Sequence, residues 1–383
     1  MNGAYVCSDR GIPVFGMKGC SLHVQEITRA FEQRGIHINL FAASLGKHCP
    51  NDLTHINTHR IKHRKITDRA VREQSDVKDN QIVLADLEQS GPFDFVYERY
   101  TLWSHAGMTY AKNHGIPAIL EVNAPLIEEQ TKYRGLIDVS GAKRVTQQCF
   151  KAASVILAVS KEVAQHVNLY DEAKGKVHVL PNGVNVERFS QVHTKQSLKH
   201  KVFTVGFVGT LKPWHGVERL IKGFALLHDD YPNTRLLIVG DGPQKQEIAN
   251  LVLELGLSEA VELTGAVNPN QIPDYYEEMD VGVAPYPNMD DFYFSPLKVY
   301  EYMAAGLPVV ASDIGQISEL IEDHISGLLY SPEELPQLTQ AFEYLINHPE
   351  ESKKLGASGR EIAVLQHSWQ HRLERILSLA GVA

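Results

Sequence analysis

The stretch SPLKVYEYMAAGLPVVAS, residues 295–312, predicts a short helix followed directly by a buried strand. Ser295 and Pro296 suit the N-cap and the first helical position, and Gly306 suits the left-handed residue that ends a helix. Pro308 prevents further turns, and the apolar residues after it are typical of a strand that is buried on both faces. A helix that leads into such a strand is the repeating unit of a parallel α/β sheet.

The same alternation of apolar strands and helical stretches continues along the whole chain. We therefore expect two parallel, doubly wound sheets, one in each half. The predicted strands of the first half are 4–7, 36–42, 93–97, 117–122, 155–159 and 177–180. Those of the second half are 203–208, 235–239, 260–263, 281–284, 307–311 and 327–330.

The length of 383 residues is too great for one ordinary core and indicates two domains. Residues 190–201 are polar and show no clear period, so we place the linker or its edge there. We expect a first domain over 1–195, a second over 196–365 and a closing segment over 366–383. Doubly wound sheets bind ligands beyond the carboxyl ends of their strands, so two facing domains would place the site in a cleft.

Composition and charge argue against several classes of protein. The net charge of −9 is wrong for a general nucleic-acid binder. No apolar run approaches the roughly 18 residues that span a bilayer, and residues 1–6 lack the basic start of a leader, so a cytoplasmic location is expected. The four cysteines are widely spaced without a C-x-x-C pair, which favours reduced thiols over disulfides or a zinc site.

Several motifs of nucleotide chemistry are missing from the sequence. It contains no D-x-D, no G-x-x-x-x-G-K-[ST] and no G-x-G-x-x-G, which argues against metal-dependent nucleotide-sugar enzymes, ATPases and dinucleotide-dependent dehydrogenases. His55, His59 and His63 recur every four residues and would form a metal-binding face on a helix, but their apolar neighbours favour solvated side chains. We expect no metal and no cofactor.

Basic residues cluster between residues 60 and 69. Two interpretations are open: contact with anionic lipid or a phosphorylated acceptor, and a plain solvated surface, which is the commoner case. The first would place a cytoplasmic protein at the inner face of a membrane. The members of this basic patch are Arg60, Lys62, Arg64, Lys65 and Arg69.

A glycine-containing turn follows the first predicted strand. Gly16 and Gly19 would let a ligand approach the backbone, and a helix capped by Ser21 and ended by Gly35 would offer its N-terminus to an anion. The alternative is a simple turn with Lys18 in water.

Seven segments, in order, resemble the family-4-type retaining glycosyltransferases of the GT-B fold. They are FGMKGCSLHV (15–24), VS (159–160), LPNGVN (180–185), FVGTLKPWHG (207–216), IVGDGP (238–243), LTGAV (263–267) and the stretch 295–312. The resemblance implies two Rossmann-like domains that face a cleft. It further implies an acceptor in the first domain, a nucleotide-sugar donor in the second and a C-terminal helix that returns to the first. It also implies sugar transfer with retention and without a catalytic metal.

The resemblance makes Glu301 the second glutamate of the family's E-x7-E motif, which binds the nucleotide ribose in relatives. Taken alone, Glu301 would be only the surface partner of Lys298, three residues earlier, in a pair worth about 0.3 kcal/mol. The first glutamate of the motif falls at Tyr293. Contact with the donor sugar is therefore expected from Tyr293, Asp290, Asp291 or backbone amides.

The diphosphate contacts of the family also differ in this chain. Relatives carry an arginine and a lysine where this sequence has Thr210 and His215, so Lys212 and Lys298 are expected to compensate. If His215 binds phosphate, donor affinity should weaken as it loses its proton between about pH 5.5 and 8. The expected donor contacts are Gly16, Gly19, Thr210, Lys212, His215, Gly240, Gly265, Val267, Tyr293, Ser295, Pro296, Leu297, Lys298 and Glu301, with Lys212 and Glu301 as catalytic residues.

The expected acceptor contacts lie in the first domain. Arg99, Glu121 and Asn123 lie where two strands end, while Lys18 and His23 lie near the start of the first helix. His23 matches a histidine that is common in relatives, whereas a second family histidine, in the loop after Glu121, is missing here. The alternative is that these side chains only stabilise their loops and line the helix entry.

The sequence thus predicts a metal-independent retaining glycosyltransferase with a nucleoside-diphosphate sugar donor, UDP-sugar being favoured over GDP-sugar. Its acceptor would be a hydroxyl group of a glycan, a lipid-linked sugar or a small molecule. Two alternatives retain the fold: a nucleotide-sugar epimerase or hydrolase, and a non-catalytic nucleotide-sugar binding protein. The second is suggested by Tyr293, Thr210 and His215.

Overall fold

A computed structural model describes residues 1–195, 202–289, 292–293 and 295–382. The chain forms two compact units, each built on one parallel sheet. The first unit consists of Met1–Asn182, Tyr293–Ser295 and Trp369–Ala383, and the second of Gly183–Phe292 and Pro296–Ser368. The domain boundary predicted at 195/196 falls inside the second unit, next to residues outside the described ranges.

The sheet of the first unit has the strand order β3-β2-β1-β4-β5-β6-β7, with every pair parallel. Its strands are β1 (Asn2–Cys7), β2 (His37–Ala42), β3 (Asn57–Arg60), β4 (Phe95–Arg99), β5 (Ala118–Val122), β6 (Val155–Ala158) and β7 (Val177–Val179). The helices between them are α1 (Gly19–Gln33), α2 (Arg69–Ser90), α3 (Ala106–His114), α4 (Leu126–Tyr133), α5 (Val139–Ala152) and α6 (Lys161–Val167).

The sheet of the second unit has the order β10-β9-β8-β11-β12-β13 and is also parallel. Its strands are β8 (Phe203–Val208), β9 (Thr234–Val239), β10 (Val261–Gly265), β11 (Val281–Ala284), β12 (Val309–Ser312) and β13 (Leu328–Tyr330). Its helices are α7 (Ser190–Lys195), α8 (Val217–Asp230), α9 (Lys245–Glu254), α10 (Ile272–Glu277), α11 (Leu297–Ala305), α12 (Ile317–Leu320), α13 (Leu335–Asn347) and α14 (Pro349–Gln366). The predicted pair of doubly wound sheets is confirmed.

The last helix, α15 (Trp369–Ala380), belongs to the first unit, as the resemblance implied. Side chains of β1 alternate between two cores because successive residues of a strand point to opposite faces. Ala4 and Val6 lie in the core that contains residues of α2 and α3, whereas Tyr5 and Cys7 lie in the core shared by α1 and α15. The C-terminal helix therefore completes the hydrophobic core of the first unit.

The local structure corrects three expectations. β3 was not predicted, because its sequence NTHR is polar and mostly exposed at the sheet edge. Neither Ser295 nor Ser21 caps a helix: α11 and α1 start at Leu297 and Gly19, without a side-chain cap. The supposed linker begins with a helix, since Ser190–Lys195 forms α7.

Candidate active site

Three loops of the second unit meet at the carboxyl ends of β8, β9 and β11, where the strand order reverses. A Cβ atom on Gly216 would lie 1.7 Å from the carbonyl oxygen of Pro285, and one on Gly240 would lie 1.9 Å from that of Gly209. Only glycine allows the loops to pack backbone against backbone at these two positions. This packing fixes the floor of a candidate site.

Lys298, in the first turn of α11, is a buried cation at this point. Its side-chain nitrogen lies 4.2 Å from the ring centre of Phe207 and 4.9 Å from that of Tyr286. It makes no hydrogen bond to any described residue, and a Cβ built on Gly209 would lie 3.2 Å from it. Burial lowers the pKa of this ammonium group to about 7, although Glu301 opposes the shift. The start of α11 and Lys298 together suit an anion.

His215 lies on the loop after β8 and is held by its own backbone. Its Nδ1–H donates to the carbonyl oxygen of Thr210, which leaves Nε2 as an acceptor. Burial, reinforced by the charge of Lys298, lowers the pKa of His215 to about 3. The expected loss of a proton between pH 5.5 and 8 is therefore wrong for the free protein, because the ring is already neutral there.

Lys212 and the loop after β10 complete the predicted donor contacts. Lys212 Nζ lies 4.6 Å from the ring centre of Trp214, on the same loop as His215. Gly265 ends β10 with a left-handed φ of 73°, and Val267 follows it, half-buried. All of these residues follow the carboxyl ends of strands in the second unit.

Glu301 is held by two partners that the sequence did not indicate. Its Oε2 accepts a hydrogen bond of 3.1 Å from the Tyr276 hydroxyl, and its Oε1 lies 3.6 Å from Arg188 Nη1. The alternative of a surface pair with Lys298 is not formed, because Lys298 Nζ has no hydrogen-bond partner among the described residues. The Glu301 side chain remains 25% exposed, so a ligand can still reach it.

In the first unit, Glu121 brings four predicted or neighbouring polar side chains together. It accepts hydrogen bonds from His23 Nε2 at 2.9 Å and Arg99 Nη1 at 2.6 Å, and others from Tyr97 and Asn123. Burial alone would raise the pKa of Glu121, but the charges of His23 and Arg99 hold it below the usual range. Three of the five predicted acceptor residues, His23, Arg99 and Asn123, thus donate hydrogen bonds to another, Glu121.

A small cavity of about 20 Å³ adjoins this cluster, enough for about one water molecule. His23, Asn123, Asn182 and Arg372 are among its lining residues. The imidazole of His23 also packs edge-on against Trp369 of α15, with ring centres 4.9 Å apart. The cavity is too small for a sugar, so the cluster is a supporting structure in this conformation.

The other predicted residues of the first unit are more dispersed. Gly16 accepts a hydrogen bond from the Gln25 side chain, whereas Lys18 and Gly19 are exposed at the start of α1. Tyr293 donates its hydroxyl to Glu129 of α4 and packs against the core of the first unit. The Ser295 hydroxyl is buried without a described partner. Of the remaining candidates, Asp290 and Asp291 lie outside the described residues.

The histidine series does not form a helical metal face. His59 belongs to β3 and stacks on Phe41, with ring centres 4.3 Å apart. His63, Asp76 and Asp79 do bring their ligand atoms within 4.8 Å of one another. Arg10 pairs with Asp76, however, and also lies 3.9 Å from Asp79. The carboxylates thus already have a cationic partner.

Comparison with known protein families agrees with this architecture. Residues 17–188 match the model described as Glycosyltransferase Family 4, and residues 189–362 match that described as Glycosyl transferases group 1. The chain is a family-4-type GT-B glycosyltransferase.

One curated relative and two solved structures illustrate similarity to this glycosyltransferase over almost its full length. D-inositol 3-phosphate glycosyltransferase 1 of Catenulispora acidiphila is 21% identical, covering 94% of this chain and 90% of its own. HepE of Anabaena in complex with UDP superposes with a TM-score of 0.75 at 18% identity, covering 100% of both chains. Sucrose-phosphate synthase of Thermosynechococcus elongatus has a TM-score of 0.73 at 20% identity and covers 99% of this chain and 98% of its own. The structural matches establish a shared fold.

Two residues of the candidate site, Arg188 and Tyr276, were missed from the sequence. Arg188 lies three residues after Asn185, the last residue of the LPNGVN segment, so its place beside a recognised motif was a usable signal. Tyr276 gave no signal, because it lies in a six-residue helix remote in sequence from Glu301. In the described part of the glycosyltransferase, no helix has both the length and the hydropathy needed to cross a membrane.

Proposed function

We propose that this glycosyltransferase transfers a sugar from a nucleoside-diphosphate sugar to a hydroxyl acceptor, with retention at the anomeric carbon and without a metal ion. The donor binds to the second unit, at the loops after β8, β9, β10 and β11. UDP-sugars are favoured over GDP-sugars; HepE of Anabaena, which shares the fold, was solved with UDP and with UDP-glucose.

The observation that carries this proposal is the buried ammonium group of Lys298. A buried cation without a hydrogen-bond partner is unfavourable, and Lys298 has none among the described residues, so a bound anion would lower that cost. Lys298 lies in the first turn of α11, whose amide N–H groups have no partners within the helix. A diphosphate accepts hydrogen bonds from both, so the donor's leaving group fits the site.

The chemistry follows from stabilising that leaving group. The bond between the anomeric carbon and the β-phosphate oxygen breaks, and its electron pair stays on the diphosphate. The acceptor oxygen forms the new bond on the same face, and its proton passes to the leaving phosphate oxygen. Lys298 and the more exposed Lys212 stabilise the developing negative charge, as fixed donors do in other enzymes.

The remaining residues of the donor site contact the ribose, the base and the phosphates. Glu301 accepts the ribose hydroxyls through its carboxylate oxygens. Backbone groups at Gly265 and Val267 bind the base. Thr210 and neutral His215 line the phosphate loop, with His215 Nε2 accepting rather than donating a hydrogen bond.

The acceptor binds to the first unit near Lys18 and the loops that follow β4 and β5, the second of which contains Asn123. The protein acts in the cytoplasm, and the basic patch at residues 60–69 supports weak contact with the anionic face of a membrane. An acceptor carried on a lipid would then be within reach. Vesicle sedimentation with and without anionic lipid tests this part separately.

A thermal-shift panel tests the donor assignment. UDP, GDP and ADP are compared at saturating concentration, where a ligand at a hundred times its dissociation constant stabilises by about 2.7 kcal/mol. We expect UDP to give the largest shift and the Lys298→Met variant to lose about half of that shift or more. Failure of all three nucleotides to stabilise the parent protein would contradict the proposal.

An NMR assay of the donor sugar then separates transfer from the alternatives. Hydrolysis or epimerisation of UDP-glucose in the absence of any acceptor would favour an epimerase or hydrolase. Product that appears only with acceptor, with the α-linkage of the donor preserved, supports retaining transfer.

A further inference from the structure

Arg188 bridges two parts of the donor site that the sequence assigned separately. Its Nη2 donates to the carbonyl oxygen of Pro269, on the loop after β10, and its Nη1 lies 3.6 Å from Glu301 Oε1 on α11. One guanidinium group therefore touches both the loop expected to bind the base and the carboxylate expected to bind the ribose.

Relying on the proposed function, we propose that Arg188 is a positioning residue for the nucleoside. It holds Glu301 and the loop after β10 at a fixed separation, so that the ribose and the base of one nucleoside can bind at the same time. A planar guanidinium group suits this task because its N–H groups point in fixed directions.

Packing against aromatic rings holds the Arg188 side chain in place. The guanidinium carbon of Arg188 lies 5.1 Å from the ring centre of Phe189, and Phe189 stacks on Tyr276 with ring centres 5.4 Å apart. The hydroxyl of Tyr276 in turn donates to the second oxygen of Glu301. Both carboxylate oxygens of Glu301 are therefore in contact with this cluster, Oε1 with Arg188 and Oε2 with Tyr276, and these contacts restrain the plane of the carboxylate.

The backbone at Arg188 is tied to the recognised LPNGVN segment. Its amide N–H donates to Asn185 Oδ1 at 3.2 Å, so the segment that carries the motif also sets the starting point of the arginine side chain. The side chain is 20% exposed and its ion pair with Glu301 is long. Such a pair contributes little to stability, so its main effect is on orientation.

The test compares binding of UDP with binding of inorganic pyrophosphate by calorimetry. Arg188→Met keeps most of the aliphatic stem but removes both contacts. We expect UDP affinity to fall by about tenfold, while pyrophosphate affinity stays within about twofold, because one charged hydrogen bond is worth roughly that much and Lys298 is untouched. In steady-state assays the KM for the donor should rise while kcat changes little.

Three variants serve as controls for this effect. Arg188→Lys keeps the charge and should recover part of the lost UDP affinity. Tyr276→Phe removes only the hydroxyl and should give a smaller loss than Arg188→Met. Arg235→Met removes an arginine of the same unit that pairs with Glu262 and Glu278 at the opposite end of the sheet, and it should leave UDP affinity unchanged.

A double-mutant cycle asks whether Arg188 acts through Glu301. In a Glu301→Ala background, Arg188→Met should lose much of its effect on UDP affinity. Unchanged UDP affinity in Arg188→Met, or equal weakening of UDP and pyrophosphate, would overturn the inference and leave the proposed function standing. Failure of the parent protein to bind any nucleotide would instead overturn the proposed function, and the inference with it.

Discussion

Glu121 of the first unit and Lys298 of the second are both buried ionisable side chains, and their surroundings differ. In the first unit, Glu121 receives hydrogen bonds from four side chains. In the second, the ammonium group of Lys298 has aromatic neighbours but no hydrogen-bond partner among the described residues. A buried charge whose hydrogen bonds are all made within the protein supports the fold. A buried charge that lacks hydrogen-bond partners can bind a ligand of opposite sign.

Removing the charge of Glu121 should give the largest effect on stability. Glu121→Gln leaves Arg99 buried without its counter-charge, and breaking such a pair costs about 3 kcal/mol or more. We expect urea denaturation to show this loss in the first unit, while UDP affinity of the folded variant stays unchanged.

The matched control for this variant is Glu88→Gln, which removes an exposed carboxylate that pairs with His114. It should change stability by less than about 1 kcal/mol. If Glu121→Gln lowered the stability no more than Glu88→Gln does, the hydrogen bonds around Glu121 would not stabilise the first unit as described.

Removing the charge of Lys298 should have opposite effects on stability and binding. The unfolded chain holds the Lys298 proton up to its ordinary pKa near 10.5, whereas the folded protein releases it near pH 7. The stability of the free protein therefore rises with pH across that window. Lys298→Met should remove this rise and stabilise the free protein at pH 7.

The same variant should weaken UDP binding by between about tenfold and a hundredfold, because a charged hydrogen bond to phosphate is lost. Lys222→Met, which changes an exposed lysine of α8, is the control and should alter neither quantity. Weaker UDP binding together with a less stable free protein would mean that Lys298 is part of the folded scaffold.

A third buried charge, Glu98, gives an intermediate case. It accepts hydrogen bonds from Ser104 Oγ at 2.6 Å and from the Met108 amide at 2.9 Å, at the start of α3. Burial raises the pKa of Glu98 to about 7, and these hydrogen bonds only partly oppose the shift. Among the described residues, the Glu98 carboxyl group has hydrogen-bond donors but no cationic partner.

Glu98 should make the first unit less stable as pH rises. Its folded pKa lies above the ordinary value near 4.5, so the stability it provides is complete below that value and is lost as pH rises through about 7. Glu98→Gln keeps one acceptor oxygen and cannot ionise, so it should flatten the dependence of stability on pH. Each unit of difference between the folded and unfolded pKa of Glu98 contributes roughly 1.4 kcal/mol to that dependence. Urea midpoints at pH 4.5, 6 and 7.5 measure it; an unaltered slope would contradict the assignment.

The smallest expected effect is an absence of titration at His215. With the pKa lowered to about 3, the ring stays neutral across pH 5 to 8, and NMR shifts of its ring nitrogens should be constant there. Since the neutral form is favoured in the folded state, its contribution to stability is complete above pH 6.5 and is lost only toward acid pH. A shift change centred near pH 6.5 would show that the ring is not buried in this way.

Most of the fold could be predicted from the sequence, and the exceptions have physical reasons. Buried parallel strands are apolar on both faces, so runs such as Phe203–Val208 stand out. β3 does not, because an edge strand needs no apolar face and NTHR reads as a loop. The serines expected to cap helices were misleading because proline and lysine occupy the cap positions of α11 and α1.

The site was predicted as far as its motifs extend. Glu301 and Lys298 could be selected from one short segment, but the sequence could not show that Glu301 faces Arg188 and Tyr276. Those contacts join residues more than twenty positions apart, which no local pattern reports. For the same reason, the sequence could not reveal that Glu121 already accepts hydrogen bonds from three of the other acceptor candidates, His23, Arg99 and Asn123.

The close approach of backbones at Gly216 and Gly240 has a consequence for engineering this enzyme. Any side chain there would collide with a carbonyl oxygen of the neighbouring loop, so both positions should stay fixed in libraries that seek new donors. Diversity is better placed at Thr210, whose exposed side chain extends from the loop after β8. Selection for new donors can therefore vary the exposed positions of these loops but must keep glycine at 216 and 240.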